Sequence, residues 1–250
     1  MDESATIDLI SDTDADFLDH LSELDSVRQV LESTRKQFSG IELKRLSYHF
    51  TPPFHSQTSE RVIVFADGFP AAWLERYADP EFRASDPIPD FIMAAHRPMA
   101  WRTAIAEHPD RQRADAFWAE LEKFGLVNGI GIPLYGPGGR DAYSSIAIDR
   151  PFDETDKPFV RRIRIAFQTA HLRISHLVLE EINEGAQLSM RETEVLSWII
   201  AGKSKNDIAG ILEISAATVD TYLRRIYAKL EVNDRVKASL VALSRGLVRL

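Results

Sequence analysis

Apolar residues recur along this chain at two different periods. Between residues 13 and 38, Phe17, Leu21, Leu24, Val27 and Leu31 are spaced by 3 and 4, which predicts a helix. "ELKRLSYHF" and "RVIVFAD" read as strands, and "PAAWLERYA" as a short helix with Pro70 at its start. "DPIPDFIMAAHRPMAW" predicts a turn, a helix and a short extended piece, and residues 109–124 a further helix. "GIGIPLYGPGGRDAYSSIAID" reads as two strands around a Gly/Pro turn, a hairpin signal. Strands and helices mixed without regular βαβ alternation predict an α+β fold, an α/β/α sandwich with a central antiparallel sheet. "NEGAQ" is a short linker, and everything after it is helical. The expected organisation is a domain over 1–180, a connector over 181–188 and a four-helix domain over 189–250.

The segment "DETDKPFVRRIRIAFQTAHLRISHLVLEEINEG" reads as one long helix. Val160, Ile163, Phe167, Ala170, Ile174 and Leu177 follow each other at 3, 4, 3, 4 and 3, a heptad-like seam. Ile165, Leu172, Val178 and Leu179 add a second apolar face. A helix with two apolar faces can pack on its own sheet and on a second copy of the chain. The seam is the expected dimer contact, and burial within one monomer is the alternative.

Capping signals divide the C-terminal region into four helices. Ser189 with Glu192 forms an S-x-x-E box before Val195, Leu196 and Ile199, and Gly202 ends that helix. Ser204 starts a second helix with Ile208, Ile211 and Leu212 inward. Ser215 starts a third, with Val219, Leu223, Ile226 and Leu230 inward, and Asn233 a fourth that Gly246 ends. A rotation of about 100° per residue then puts Ala217, Thr221, Arg224, Arg225 and Ala228 on the outer side of the third helix. That face is small near its start and cationic further on. Small residues let a helix sit deep in a major groove, and arginine pairs bidentately with guanine or holds phosphate. Thr218 and Lys229 flank it and suit phosphate contacts. The helix starts near Ser204 and Ser215 offer unpaired N–H groups to phosphate oxygens. Ala209, the turn and Val219 fit a helix-turn-helix.

Charge supports that reading. Residues 188–250 carry 10 Lys and Arg against 7 Asp and Glu, a net of +3, whereas the whole chain is at −8. A slightly basic tail on an acidic body suits a tail that meets a polyanion. The chain has no cysteine, so disulfides, thiolate metal sites and thiol nucleophiles are excluded. "MDESATIDLI" lacks a basic start and a long apolar run, and no apolar stretch approaches the length of a membrane span; the expected location is the cytoplasm, with no membrane partner. No G-x-S-x-G or H-E-x-x-H motif occurs. His49 and His55 are six apart and make a weak metal pair, so no metal or other cofactor is expected and the chain is not read as an enzyme.

Residues 188–248 resemble the helix-turn-helix domain of LuxR-type transcriptional regulators. The resemblance rests on Glu192, Leu196 and Gly202 in "RETEVLSWIIAGKS", then on "DIA", "SAATV" and "RRIYAKL". It implies binding to double-stranded promoter DNA as a homodimer. Two positions depart from it, because the family has glycine where this chain has Glu213 and Glu231. Asp220 also puts negative charge near the DNA face.

The quorum-sensing branch of the same family carries an N-terminal domain that binds an N-acyl-homoserine lactone, and its signature residues stand here at matching separations. They are Trp73, Tyr77, Asp86 with Pro87, Trp101 and Gly129, spanning some 57 positions. Such a ligand needs an apolar slot for its chain and a few polar groups for its head. Asp86 can accept from the amide N–H, Trp73 can donate to the lactone carbonyl, and Tyr77 and Trp101 can wall the pocket. Ser145 falls where the family has Ser or Thr for the amide carbonyl. Four residues before Trp73 the family has a tyrosine, and here it is Phe69, which alters the head-group contacts. The resemblance therefore implies a small-molecule signal, an acyl-homoserine lactone, as the ligand. A different amide or ketone ligand, and a regulator that acts without ligand, stay open. So does the more remote reading of a lactone hydrolase with a DNA-binding tail.

Overall fold

The structure is a computed structural model that describes residues 12–38, 43–51, 56–59, 61–148, 151–184 and 187–248. Two compact units separate, Met1–Gly136 with Arg140–Ile174, and Pro137–Gly139 with Ser175–Leu250.

The first unit opens with two helices, α1 (Asp12–Glu23) and α2 (Val27–Gln37), where one had been expected over 13–38. The break follows from Ser26, whose hydroxyl accepts the N–H of Gln29 and starts a new helix. Strands β1 (Arg45–Phe50) and β2 (Ile63–Asp67) come next, then three short helices: α3 (Ala71–Ala78), α4 (Pro80–Ser85) and α5 (Ile88–Ala95). The two-residue strand β3 (Met99–Ala100) leads into α6 (Trp101–Glu107) and α7 (Arg111–Lys123). Strands β4 (Gly129–Leu134) and β5 (Ala142–Ala147) form the expected hairpin, and α8 (Lys157–Glu184), of which the part up to Ile174 belongs to this unit, closes the series. Helices α4 and α6 span only 6 and 7 residues, too few to display a helical period, and the pattern did not reveal them.

All strand pairs are antiparallel, in the order β2-β1-β5-β4-β3. Side chains alternate across the sheet. One face carries Ser47 and His49 from β1 opposite Ser145 and Tyr143 from β5, and it looks toward α3–α7. The other face carries Tyr48, whose hydroxyl lies 2.7 Å from Nδ1 of His171 on α8. On that side Phe38 meets Phe167 with ring centroids 5.8 Å apart, and Arg162 of α8 holds Asp14 of α1 at 2.8 Å. This is the α/β/α sandwich with a central antiparallel sheet.

The helix α8 corrects the seam. Ile163, Phe167, Ala170 and Ile174 are at most 2% exposed, buried within their own chain, so they cannot meet a partner. Val160 and Leu177 at its two ends are half-buried. The heptad spacing reports the inward stripe of a sandwich helix. Leu172, on the other stripe, is 49% exposed. Helix α8 also runs to Glu184, so the first four residues of the expected 181–188 connector are helical, and residues 185–186 of it lie outside the described residues.

In the second unit, α9 (Met190–Ile200), α10 (Lys205–Ile211), α11 (Ala216–Leu230) and α12 (Arg235–Ser244) surround a core of Val195, Leu196, Ile199, Ile208, Val219, Ile226 and Leu230. The Ser189 box is formed in both directions, and Ser204 makes a second box with Asp207. Two assignments shift. Asp234, not Asn233, caps α12, because its carboxylate reaches the N–H of Lys237. Ile211, expected inside, is 43% exposed.

Candidate functional site

A cavity of about 410 Å³ opens between the sheet and α3–α7. All six residues expected at a ligand site, Phe69, Trp73, Tyr77, Asp86, Trp101 and Ser145, line it. Each arrives from a different local cause. Helix α3 puts Trp73 and Tyr77 one turn apart on its buried face. Asp86 follows α4 as its C-terminal cap and precedes Pro87. Trp101 begins α6, and its indole lies over Gly129, where a Cβ would come within 2.2 Å of the ring. Gly131 is equally constrained, since its Cβ would stand 2.7 Å from Tyr143. The two glycines of "GIG" thus let a tryptophan and a tyrosine lie flat on the strand.

Hydrogen bonds sort the polar groups into engaged and free. Tyr77 donates its hydroxyl to Oδ2 of Asp86 at 2.8 Å, and the N–H of Ile88 donates to Oδ1 at 2.9 Å. Trp101 donates its indole N–H to Tyr143 at 3.0 Å, so it serves as a braced wall. Ser145 and Ser47 bond through their hydroxyls at 2.7 Å. Trp73 lines the cavity, and its indole N–H has no partner among the described residues and remains a donor. Burial pushes the Asp86 carboxyl up to about 7, against the pull of Ile88, Tyr77 and the Arg113 guanidinium. Arg113 is held in turn by the carbonyls of Ala84, Ser85 and Asp86, each at 2.9 Å.

Four further polar residues of the lining were not assigned to the ligand site from the sequence: Ser47, His49, Arg83 and Tyr143. Period-two alternation from Ser145 would have found Tyr143, but the others depend on strand pairing and on the unpredicted α4. His49 is packed edge-on between Tyr77 and Tyr143, with centroids 5.7 and 5.3 Å away. His55, the other member of the weak pair considered for a metal, lies outside the described residues.

In the second unit, Ala217, Arg224, Arg225 and Ala228 are exposed on α11 and Thr221 is half-exposed beside them. Thr221 donates its hydroxyl back to Ala217 O at 3.0 Å. Arg225 is exposed, makes no hydrogen bond or ion pair among the described residues and is free to reach a partner. The flanking groups are more occupied than expected. The Ser204 hydroxyl accepts from Asp207 N, and that of Ser215 accepts from Thr218 N while lying 2.8 Å from the Thr218 hydroxyl. Lys229 has its ammonium 2.7 Å from the buried Glu192 carboxylate, which also accepts from Ser189 N; its place is between α11 and α9. Asp220 is neutralised by Lys205 at 2.8 Å. Glu213 and Glu231 take the left-handed conformation, with φ of 54° and 56°, so the turns keep a glycine geometry without glycine.

A polar-studded cavity inside an α/β/α unit, with a helix-turn-helix in the other unit, defines a transcription regulator that carries its own small-molecule sensor. The autoinducer binding domain family matches residues 26–174, and the luxR family of bacterial regulatory proteins matches residues 186–242. The chain belongs to the luxR family of regulators, in its autoinducer-binding branch. The quorum sensing-dependent transcriptional regulator RpaR of Rhodopseudomonas palustris is 30% identical over 188 residues, 75% of this chain and 76% of that protein. The HTH-type transcriptional regulator y4qH of Sinorhizobium fredii is 28% identical over 195 residues, which are 77% of this chain but span only 58% of that relative's length. Among solved structures, SdiA of Escherichia coli shares the fold with a TM-score of 0.77 at 20% identity, covering 95% of this chain and 98% of that one. No described helix is long and apolar enough to cross a membrane.

Proposed function

We propose that the cavity binds an N-acyl-homoserine lactone and that the protein, as a homodimer, reads a two-fold promoter site through α11. What carries this reading is the convergence of Trp73, Tyr77, Asp86 and Trp101, spread over 29 positions of the chain, on one cavity of a size suited to a small ligand. In it Asp86 accepts the ligand amide N–H, Trp73 donates to the lactone carbonyl, and Tyr77 both walls the site and holds the Asp86 carboxylate. Trp101, braced by Tyr143, shapes the floor. Ser145 meets the amide carbonyl in place of the hydroxyl that Phe69 lacks. On DNA, Ala217, Thr221, Arg224 and Arg225 face the bases, and the capped helix starts at Ser204 and Ser215, with Thr218 flanking the face, lie toward phosphate.

The test is a thermal-shift panel of acyl-homoserine lactones of increasing chain length. A ligand that binds only the folded state stabilises it by about 2.7 kcal/mol at a hundredfold excess over its dissociation constant. One chain length should stand out, and Phe69→Tyr should strengthen its binding. If no lactone moves the transition in either protein, the lactone reading fails and the DNA reading stands.

A further inference from the structure

One cation in the cavity wall has no counter-charge among the described residues. Arg83, near the end of α4, is 8% exposed and lines the cavity. Its side chain makes no hydrogen bond or ion pair among the described residues, and its Nε is buried without a partner. Asp86 is the one acidic residue among the described residues of the lining. That carboxyl already receives Tyr77 and Ile88, and the cation that acts on it is Arg113. His49 offers no counter-charge either. Its ring is bonded to the Gln57 backbone, its Nδ1 is unpartnered, and burial together with the nearby Arg83 pushes its imidazole down to about 3. A nearly buried guanidinium whose Nε is closed off from water without an acceptor is a costly feature for a fold to carry. A neutral lactone supplies no charge to offset it.

We propose that the ligand of this cavity carries an anionic oxygen, a carboxylate, besides the amide met by Asp86, and that Arg83 is the residue that receives it. Guanidinium matches a carboxylate in both charge and planar geometry, and the match is strongest where water is excluded. This deepens the acyl-lactone reading and rests on it only for the amide end. The selected compounds are acyl derivatives with an acidic group, and plain alkanoyl compounds of the same length are discriminated against because they leave Arg83 unpaired.

Three probes on the full chain test this by calorimetric titration: octanoyl-homoserine lactone, its suberoyl counterpart with a terminal carboxylate, and octanoate. The wild type should bind the suberoyl compound about tenfold tighter than the octanoyl one. Arg83→Met should erase that preference while raising the melting temperature of the ligand-free protein, since an unpaired buried charge is gone. Arg83→Gln replaces it if the methionine variant does not fold. Equal or weaker binding of the suberoyl compound by the wild type overturns the proposal, as does a preference that survives the loss of Arg83. Octanoate bound through Arg83 with neither lactone bound leaves the anion site standing and removes the lactone reading. Octanoyl-lactone bound best does the reverse, and no binding by any probe removes both.

Discussion

With its carboxyl lifted to about 7 by burial, Asp86 sits near its titration point at neutral pH in the ligand-free cavity. A ligand N–H donated to it favours the carboxylate, so binding expels a proton. Lactone affinity should therefore rise between about pH 6 and 7.5, by at most tenfold per unit, and Asp86→Asn should flatten that rise and weaken binding. Titrations at both ends of that range check it. The sign for stability is opposite. A carboxyl raised in the folded state contributes stability below its ordinary value near 4 and loses it as pH climbs toward 7. Without ligand, Asp86→Asn should thus melt higher than wild type at pH 7.5 and gain less at pH 5. Lys229 presents a different case. Burial alone would raise the Glu192 carboxyl, but hydrogen bonds from Lys229 and Ser189 outweigh it and hold it below the usual range. Lys229→Met should cost about 1–2 kcal/mol of stability, given that Lys229 itself is partly solvated, while the folded protein keeps its salt dependence on DNA. Denaturant titration and gel shifts at two salt concentrations separate the two effects.

At the scale of elements, the turns and the long helix make the clearest demands. Glu213 and Glu231 hold backbone that L residues disfavour by about 1–2 kcal/mol each. Glycine relieves that strain but loosens the unfolded chain, so Glu213→Gly or Glu231→Gly should each stabilise by about 0.5–1 kcal/mol net. Urea unfolding of the single variants would measure it, and a loss of stability would mean that the glutamate side chains contribute more than the strain they impose. Helix α8 has an inward stripe and an outward one. Phe167→Glu should unfold the first unit, because Phe167 is 2% exposed. Leu172→Glu, at an exposed position of the same helix, should leave the circular dichroism unchanged and lower the sedimentation mass if the outward stripe joins two copies. A monomeric wild type with ligand present would remove that stripe from the account of assembly.

For the whole molecule, net charge constrains DNA binding. The chain is at −8, and in the second unit Lys205, Lys229, Lys237 and Arg191 are each paired with a carboxylate. Few cations remain to neutralise phosphate, which puts weight on Arg224 and Arg225 and on two half-sites read at once, about 10 bp or a multiple apart. Arg225→Ala or Thr221→Ala should weaken the specific site by about 1–3 kcal/mol with little change on unrelated DNA. Competition gel shifts with both DNAs decide this; equal loss on the two would mean that these residues hold backbone and do not read bases.

Local chemistry made much of this protein legible before its structure. Caps such as Ser189, Ser204 and Ser215, the alternation of β5 and the spacing of Val219, Ile226 and Leu230 act within a few residues, and the helices and strands followed from them. The ligand-site residues were legible only jointly, through the separations of Trp73, Tyr77, Asp86 and Trp101. Tertiary structure decided the rest, because a period reveals that a face is apolar but not what covers it. The α8 seam from Ile163 to Ile174 went to its own sheet for that reason. Likewise, Lys229 found Glu192 across 37 residues, and Ser47 met Ser145 across 98, pairings that no local pattern encodes. Arg83 looks in sequence like any surface arginine. Only the packing of α4 against the cavity buried its Nε without a partner among the described residues.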